Sequence, residues 1–163
     1  MTLPQEEEKT LGTMTALHNV TEHINLLATA IVVIKGNYGH TTVLRALIDS
    51  GSQSCFITQK ATQALKLQRK PVNLVVTGMD NMKVNIQQEV NFDLLSRWEP
   101  NFELPIHAYV MSQPLKFNIP SSEYMQQELR HFEKLNLADP NFMDSGALDL
   151  LLGVQEYTAI LKQ

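Results

Sequence analysis

Residues 44–57 read LRALIDSGSQSCFI, an apolar segment interrupted by one aspartate and a run of small polar residues. The β-prone residues 46–48 stop at Asp49, where the polar run begins. A carboxylate at the end of a buried strand is costly to desolvate unless another group pairs with it. Asp49 therefore either begins an ordinary turn or is kept at the strand end for chemistry.

The composition is that of an ordinary globular domain. The chain has 163 residues, of which 44% are hydrophobic and 18% are charged, which suffices for the core of one domain. Thirteen basic and seventeen acidic residues give a net charge of −4, which argues against a nucleic-acid partner. The longest apolar stretch, residues 26–34, is too short to span a bilayer, so we expect no membrane insertion.

Cysteine and histidine usage argues against two further kinds of site. Cys55 is the only cysteine, so the chain cannot form an intrachain disulfide and suits a reducing compartment. A lone cysteine in an apolar run favours core packing over a nucleophile. The five histidines share no metal-ligand spacing with Cys55, and we expect neither a metal site nor a cofactor.

The opening residues MTLPQEEEKT lack the features of a signal peptide, which favours a cytoplasmic protein.

Hydrophobic periodicity predicts a mostly β domain with two or three short helices over residues 24–163, after a polar leader of residues 1–23. The predicted strands are residues 26–34, 41–48, 55–57, 72–76, 82–95, 102–111 and 147–153. The predicted helices are residues 59–67, 122–135 and 154–162. Thr58 is the expected N-cap of the first helix. The inner face of that helix is expected to carry Ala61, Ala64 and Leu65.

Aspartic proteolysis gives a chemical reason for Asp49. That reaction needs two carboxylates that share one proton, because one activates water while the other protonates the carbonyl oxygen. The tripeptide Asp49-Ser50-Gly51 supplies an acid, a hydroxyl and an open backbone, in that order. The tripeptide alone also marks ordinary turns, so its context has to decide between the two interpretations.

The context of Asp49 follows an ordered pattern along the chain. Leu-Ile-Asp-Ser-Gly at 47–51 is followed by the polar pair 52–53, an apolar strand, a glycine-tipped hairpin over 72–90 and Leu-Leu-Gly at 151–153. This pattern resembles retropepsin-like aspartic proteases, and more closely the protease domain of Pao/BEL-type LTR retrotransposon polyproteins. The stretches that carry the resemblance are RALIDSGSQSCFIT, VTGM, NLADPNF and LDLLLG, and it covers about residues 26–163.

The resemblance implies a retropepsin-like, mostly β single lobe with a few short helices, which homodimerisation completes. Asp49 would be the catalytic carboxylate, and Ser50 would brace the pair of aspartates by hydrogen bonds across the twofold axis. Gly51 would contact the substrate backbone. Gln53 would lie where retropepsins place a polar residue against the main chain of the bound peptide.

The same resemblance assigns the hairpin and the second motif. Gly78 and Met79 would lie at the tip of a flap that covers the substrate. Asp80 follows them as a further substrate-binding candidate, at a position where the family often has a second glycine. Leu152 and Gly153 would pack beneath the aspartate loop and support it.

The implied activity is endoproteolytic cleavage of a retroelement polyprotein by water activated between two aspartates, one from each subunit. The implied partners are a second copy of the chain and a polypeptide substrate, without nucleic acid or membrane. Retropepsins dimerise through their terminal strands, which makes Leu151 and residues 154–162 the candidates for the dimer contact. The expected location is the cytoplasm, including the interior of virus-like particles.

Two alternatives stay open from the residues alone. A second Asp-Ser-Gly at 144–146 would suggest a two-lobed chain, but it lacks a preceding apolar strand and a following hairpin, so we interpret it as a turn. Residues 80–81 are Asp-Asn and residues 154–155 are Val-Gln, where the family tends to have a glycine and Ala-Asp. The intact Asp-Ser-Gly at 49–51 favours the enzyme, but these departures keep open an alternative function, a domesticated and catalytically weak or inactive module that dimerises or binds peptides.

Overall fold

The computed structural model describes residues 27–77, 83–112, 135–142, 144 and 146–161. These residues form a mostly β single lobe with two short α-helices, which confirms the predicted fold class. The strands are β1 (Thr29–Lys35), β2 (Thr41–Ile48), β3 (Cys55–Thr58), β4 (Lys70–Thr77), β5 (Lys83–Leu95), β6 (Glu103–Met111) and β7 (Leu150–Leu152). The helices are α1 (Gln59–Ala64) and α2 (Val154–Leu161).

The sheet closes on itself as a barrel. Six strands follow one another in the order β1-β2-β7-β3-β6-β5, and β5 returns to pair antiparallel with β1 between Val33 and Leu95. β7 lies between β2 and β3, parallel to the first and antiparallel to the second. β4 comes last in the sheet order and pairs with β5, so these two strands form a hairpin attached to the barrel.

Alternation along the strands separates an inner apolar face from an outer face. The most buried side chains of the interior are Ile34, Ala46, Ile57, Val90, Ile106, Ala108, Leu150 and Leu152. Full burial of one valine, leucine or isoleucine side chain contributes about 1.5–3 kcal/mol, so this interior is the main source of stability. β2 and β7 both contribute to it, which fixes the strand ends that flank Asp49.

Thr58 caps α1, as the sequence predicts. Its Oγ1 accepts a 3.2 Å hydrogen bond from the backbone N–H of Ala61 and donates a 2.8 Å bond to Oδ1 of Asp149. The first bond satisfies one of the free N–H groups at the start of a helix. The second ties the start of α1 to the residue that precedes β7.

The inner face of α1 differs in one residue from the prediction. Ala61 and Leu65 are buried as expected, whereas Ala64 is exposed, and the prediction for it is wrong. Thr62 is buried instead. Its hydroxyl can leave water because it donates a 2.8 Å hydrogen bond to the carbonyl oxygen of Gln59.

Most strand positions agree with the prediction, and β7 is the main exception. The predicted strand 147–153 is regular only over Leu150–Leu152. Before it, the backbone N–H of Asp149 bonds to the carbonyl oxygen of Arg45, and the carbonyl oxygen of Asp149 accepts from Thr58. The predicted leader 1–23 and most of the predicted helix 122–135 lie outside the described residues.

The two dimer-contact candidates differ in their exposure. Leu151 is buried within its own chain beside Leu47 and Leu148, so it has little surface left for a second copy. The expectation that Leu151 contacts a second copy is therefore corrected, because its side chain already packs inside its own chain. Val154 and Leu161 of α2 remain exposed. In the part of the chain that the structure describes, neither helix has the length or apolarity to cross a membrane.

Candidate active site

Asp49 lies directly after β2, at the point where β2 and β7 run side by side. Ile48 and Leu152 are register partners, and the backbone N–H of Asp49 donates a 2.9 Å hydrogen bond to the carbonyl oxygen of Leu152. The backbone N–H of Gly51 donates a 2.8 Å hydrogen bond to Oδ1 of Asp49. The Asp49 side chain is half-buried, and its orientation is fixed by the loop that follows it.

The rest of the aspartate loop, residues 49–54, rests on Gly153 and the start of α2. A Cβ atom on Gly153 would lie 3.0 Å from the carbonyl oxygen of Ser52 and 3.1 Å from that of Ser54. Real Cβ atoms seldom approach backbone atoms this closely, so the loop needs glycine at this position. The backbone N–H of Val154 also donates a 2.8 Å hydrogen bond to the carbonyl oxygen of Ser52.

A cleft with a volume of about 710 Å³ opens between the aspartate loop and β4. From the loop side it is lined by Asp49, Gly51, Ser52, Gln53 and Ser54. From the other elements it is lined by Phe56, Leu74, Val75, Val76, Thr77 and Tyr109. Among the described residues that line this cleft, Asp49 is the only acidic one.

The structure brings several of the predicted site residues together. Asp49, Gly51 and Gln53 share the cleft, while Ser50 is exposed at the tip of the turn. Leu152 accepts a backbone hydrogen bond from Asp49, and Gly153 lies close to the backbone of Ser52 and Ser54. The flap candidates Gly78, Met79 and Asp80 lie outside the described residues.

The second Asp-Ser-Gly has a different role from the first. The backbone N–H of Asp144 donates a 2.9 Å hydrogen bond to the carbonyl oxygen of Asn141, so Asp144 ends a turn that begins at Asn141. The carbonyl oxygen of Asp144 accepts a 2.7 Å bond from Nη1 of Arg45. A Cβ atom on Gly146 would lie 2.9 Å from the same Nη1, so this glycine makes room for the guanidinium. Ser145 lies outside the described residues.

Arg45 and Asp139 form a buried ion pair that sequence reasoning missed. Nε of Arg45 donates a 2.6 Å hydrogen bond to Oδ2 of Asp139, whose side chain is fully buried. Thr29 donates to the same oxygen, and the backbone N–H of Asn141 donates to Oδ1. These bonds satisfy both oxygens of the buried carboxylate. An arginine in an otherwise apolar strand was the available signal, but its partner could not be read from the pattern.

Cys55 belongs to the core, as predicted. The residue is 2% exposed, and its Sγ accepts a 3.3 Å hydrogen bond from the backbone N–H of Gly153. Burial, assisted by the nearby Glu156, raises the pKa of the Cys55 thiol to about 12. A thiol with such a pKa stays protonated near neutral pH and is a poor nucleophile. Among the described residues, no three side chains of His, Cys, Asp and Glu gather as a metal site.

Two aromatic residues of the cleft were also missed. Phe56 and Tyr109 are cross-strand neighbours on β3 and β6, and their ring centroids lie 6.1 Å apart. The alternation of residues 55–57 indicates that Phe56 lies on the face of β3 opposite the barrel interior. It does not indicate that β6 lies beside β3, and therefore Tyr109 could not be assigned to the cleft.

No family model matches the chain, and no curated protein matches it. Among solved structures, the chain is similar to the EIAV protease complexed with the inhibitor HBY-793. The two share 14% sequence identity with a TM-score of 0.47, over 86% of this chain and 94% of that chain.

Proposed function

We propose that this chain is one subunit of a retropepsin-like aspartic endopeptidase. The observation that carries the proposal is the position of Asp49, whose carboxylate accepts the Gly51 N–H at the mouth of a peptide-sized cleft. In the proposed reaction one carboxylate takes a proton from water, and the water oxygen attacks the carbonyl carbon of the peptide bond. The second carboxyl group gives its proton to the carbonyl oxygen. The C–N bond then breaks as the first carboxyl group protonates the nitrogen and the second takes back a hydroxyl proton, which releases an amine and a carboxylic acid.

The need for a second carboxylate supports a homodimer. Asp49 is the only acid lining the described part of the cleft, and a single carboxylate cannot perform both proton transfers at once. Asp144 belongs to the turn that binds Arg45, which argues against it as the second acid. A second copy related by a twofold axis would supply its own Asp49 and create an isologous interface.

The substrate is then a polypeptide, and we propose a retroelement polyprotein of the Pao/BEL type. The support comes from the sequence stretches RALIDSGSQSCFIT and NLADPNF, which carry the resemblance. These two stretches contact each other through the buried pair of Arg45 and Asp139. Their co-occurrence in the sequence thus has a physical reason, since neither buried charge is stable without the other.

The flap remains part of the proposal on sequence grounds. β4 and β5 lead to residues 78–82, and the cleft is lined by the β4 residues that precede them. Met79 would supply a hydrophobic contact to the substrate, with Gly78 and Asp80 beside it. Ser50 would brace the two aspartates across the twofold axis.

The departure at residues 154–155 does not remove the backbone support of the aspartate loop. Val154 contacts the aspartate loop through its backbone N–H, a bond that most side chains at this position would allow. The change from Ala-Asp to Val-Gln therefore leaves the support of the loop intact. The non-cleaving peptide-binding module becomes the alternative outcome of the test.

The decisive experiment is incubation of the purified chain with a mixed peptide library at several pH values, followed by mass spectrometry. We expect cleavage at defined bonds that a pepstatin-type inhibitor suppresses. Binding of peptides without cleavage at any pH would support the inactive module instead. Cleavage that pepstatin leaves unchanged would contradict the aspartic mechanism.

A further inference from the structure

Tyr109 forms part of the cleft wall opposite β4, and its position is fixed by its strand neighbours. The β3–β6 register places Phe56 beside it on one side, and the β5–β6 register places Glu89 beside it on the other. Tyr109 and Phe56 are both half-buried, with their rings tilted by 49°. The wall next to the aspartate loop is therefore aromatic.

His107 packs against the other side of the Tyr109 ring. It precedes Tyr109 by two residues on β6, so both side chains lie on the same face of the sheet. The ring centroids are 5.2 Å apart at an angle of 82°, the edge-to-face arrangement that aromatic rings favour. The ring of Tyr109 is thus enclosed between Phe56 and an imidazole.

A hydrogen bond to Glu89 fixes the orientation of the His107 imidazole. Nε2 of His107 lies 3.1 Å from Oε2 of Glu89, which accepts its hydrogen bond. The Glu89 side chain is 25% exposed and that of His107 is 49% exposed, so the carboxylate is the better shielded member of the pair. Neither residue lines the cleft itself, and both act on it through Tyr109.

We infer that Tyr109 is a specificity-determining residue that selects peptides with a large apolar side chain near the bond next to Asp49, and that His107 and Glu89 are positioning residues for its ring. This inference rests on the proposed endopeptidase function of the same cleft. Leu74 and Val76 line the cleft from β4, so an entering side chain meets two rings and two aliphatic groups. Among the described residues, Asp49 is the only charged one lining the cleft, so a negatively charged side chain would lose its hydration there without gaining a charge partner.

The first test compares the wild type with Tyr109→Leu and Tyr109→Phe. Each enzyme is given peptides that carry Phe, Leu, Ala or Lys at each position flanking the cleaved bond. We expect Tyr109→Leu to lower the preference for Phe over Ala by about tenfold or more, mainly through KM, because apolar pockets discriminate by contact area. Tyr109→Phe should keep the preference, since the ring is retained.

Tyr38→Leu in the β1–β2 hairpin is the matched control and should leave the order of preference unchanged, because Tyr38 is exposed and does not line the cleft. If Tyr109→Leu keeps the wild-type order of preference, Tyr109 does not determine specificity. A uniform loss of kcat on all peptides would likewise contradict the inference.

The second test concerns the positioning pair. Glu89→Leu removes the acceptor of the His107 hydrogen bond, whereas Glu89→Gln retains one. We expect Glu89→Leu to shift the NMR signals of the Tyr109 ring and to weaken the preference for Phe, and Glu89→Gln to restore both. His107→Gln removes the imidazole ring that contacts Tyr109 and should also weaken the preference for Phe, whereas His40→Gln, at the exposed end of the β1–β2 hairpin, should not. Equal effects of both Glu89 variants would contradict the positioning role.

Peptides with a reduced, uncleavable bond separate this inference from the proposed function. If such peptides bind selectively and Tyr109→Leu abolishes the selectivity, but the protein cleaves nothing, the endopeptidase proposal fails and the inference stands. If the protein cleaves and Tyr109→Leu leaves selectivity unchanged, only the inference fails. A protein that neither binds nor cleaves peptides would overturn both.

Discussion

The backbone N–H of Asp49 donates a 2.9 Å hydrogen bond to the carbonyl oxygen of Leu152, which joins the two motifs of the site. β7, which carries Leu152, is inserted between β2 and β3, the strands on either side of the aspartate loop. The position of the Asp49 carboxylate therefore depends on Leu-Leu-Gly as directly as on Asp-Ser-Gly.

Replacing the Asp49 carboxylate should abolish proteolysis without unfolding the chain. In Asp49→Asn the side chain keeps an oxygen for the Gly51 N–H, but it can no longer share a proton with a second aspartate. We expect peptide cleavage to fall to the background rate while circular dichroism and the denaturation midpoint stay close to wild type. Asp144→Asn is the control, because Asp144 binds Arg45 through its backbone carbonyl. Loss of activity in Asp144→Asn alone would reverse this assignment.

Activity should depend on the concentration of the chain. If each subunit supplies one Asp49, specific activity falls on dilution below the dimer dissociation constant. A mixture with excess Asp49→Asn should lose activity through inactive heterodimers, which titration of the variant into wild type would measure. A monomer by sedimentation whose activity stays proportional to concentration would contradict the shared site.

Gly153→Ala should destabilise the aspartate loop. The added Cβ would approach the backbone of Ser52 and Ser54 to within about 3 Å, and backbone atoms cannot rotate away as a side chain can. We expect a loss of about 1–3 kcal/mol in the free energy of unfolding, typical of overpacking, together with reduced activity. Gln155→Ala, an exposed change two residues later, should have little effect in the same urea titration. Equal stability of the two variants would show that the loop accommodates the methyl group.

Arg45→Met should be among the most destabilising single changes on β2. It leaves the fully buried Asp139 carboxylate without its charge partner, and breaking a buried pair in this way costs about 3–5 kcal/mol. Lys35→Met removes an ion pair with Glu103 whose side chains are 48% and 50% exposed, and should cost about 1 kcal/mol or less. Urea unfolding of both variants measures the contrast. Similar losses in the two would mean that Asp139 is stabilised by other groups.

The buried Cys55 thiol should make stability fall at alkaline pH. Its pKa is raised from 9.0 to about 12 in the folded chain, so above pH 9 the unfolded chain releases this proton and the folded chain retains it. The stability contributed by Cys55 is fully present below pH 9 and is lost as the pH rises toward 12. The loss reaches at most about 1.4 kcal/mol per pH unit. Urea titrations between pH 8 and 11 should show this slope in wild type and a smaller one in Cys55→Ala; identical slopes would contradict it.

The local pattern of the sequence determined where most strands lie and that Asp49 follows the end of one of them. β5 ends at Leu95, where its apolar alternation ends, and α1 begins after Thr58, whose hydroxyl caps it. The two Asp-Ser-Gly tripeptides, at 49–51 and 144–146, could also be told apart, because only the first follows an apolar strand and precedes a hairpin. Strand positions, helix caps and turns depend on residues that are close together in the sequence, so the sequence alone predicts them.

Only the tertiary structure decided which residues meet across the chain. The closure of β1 on β5, the cleft position of Tyr109 and the pairing of Arg45 with Asp139 each join segments remote in sequence. Leu151 illustrates the same limit, because its apolar character fits a core and a dimer contact equally well, and its packing against Leu47 makes it core. Alternation tells which face a side chain takes, but the neighbour on that face is set by strand order and hydrogen-bond register, which arise only when the barrel closes.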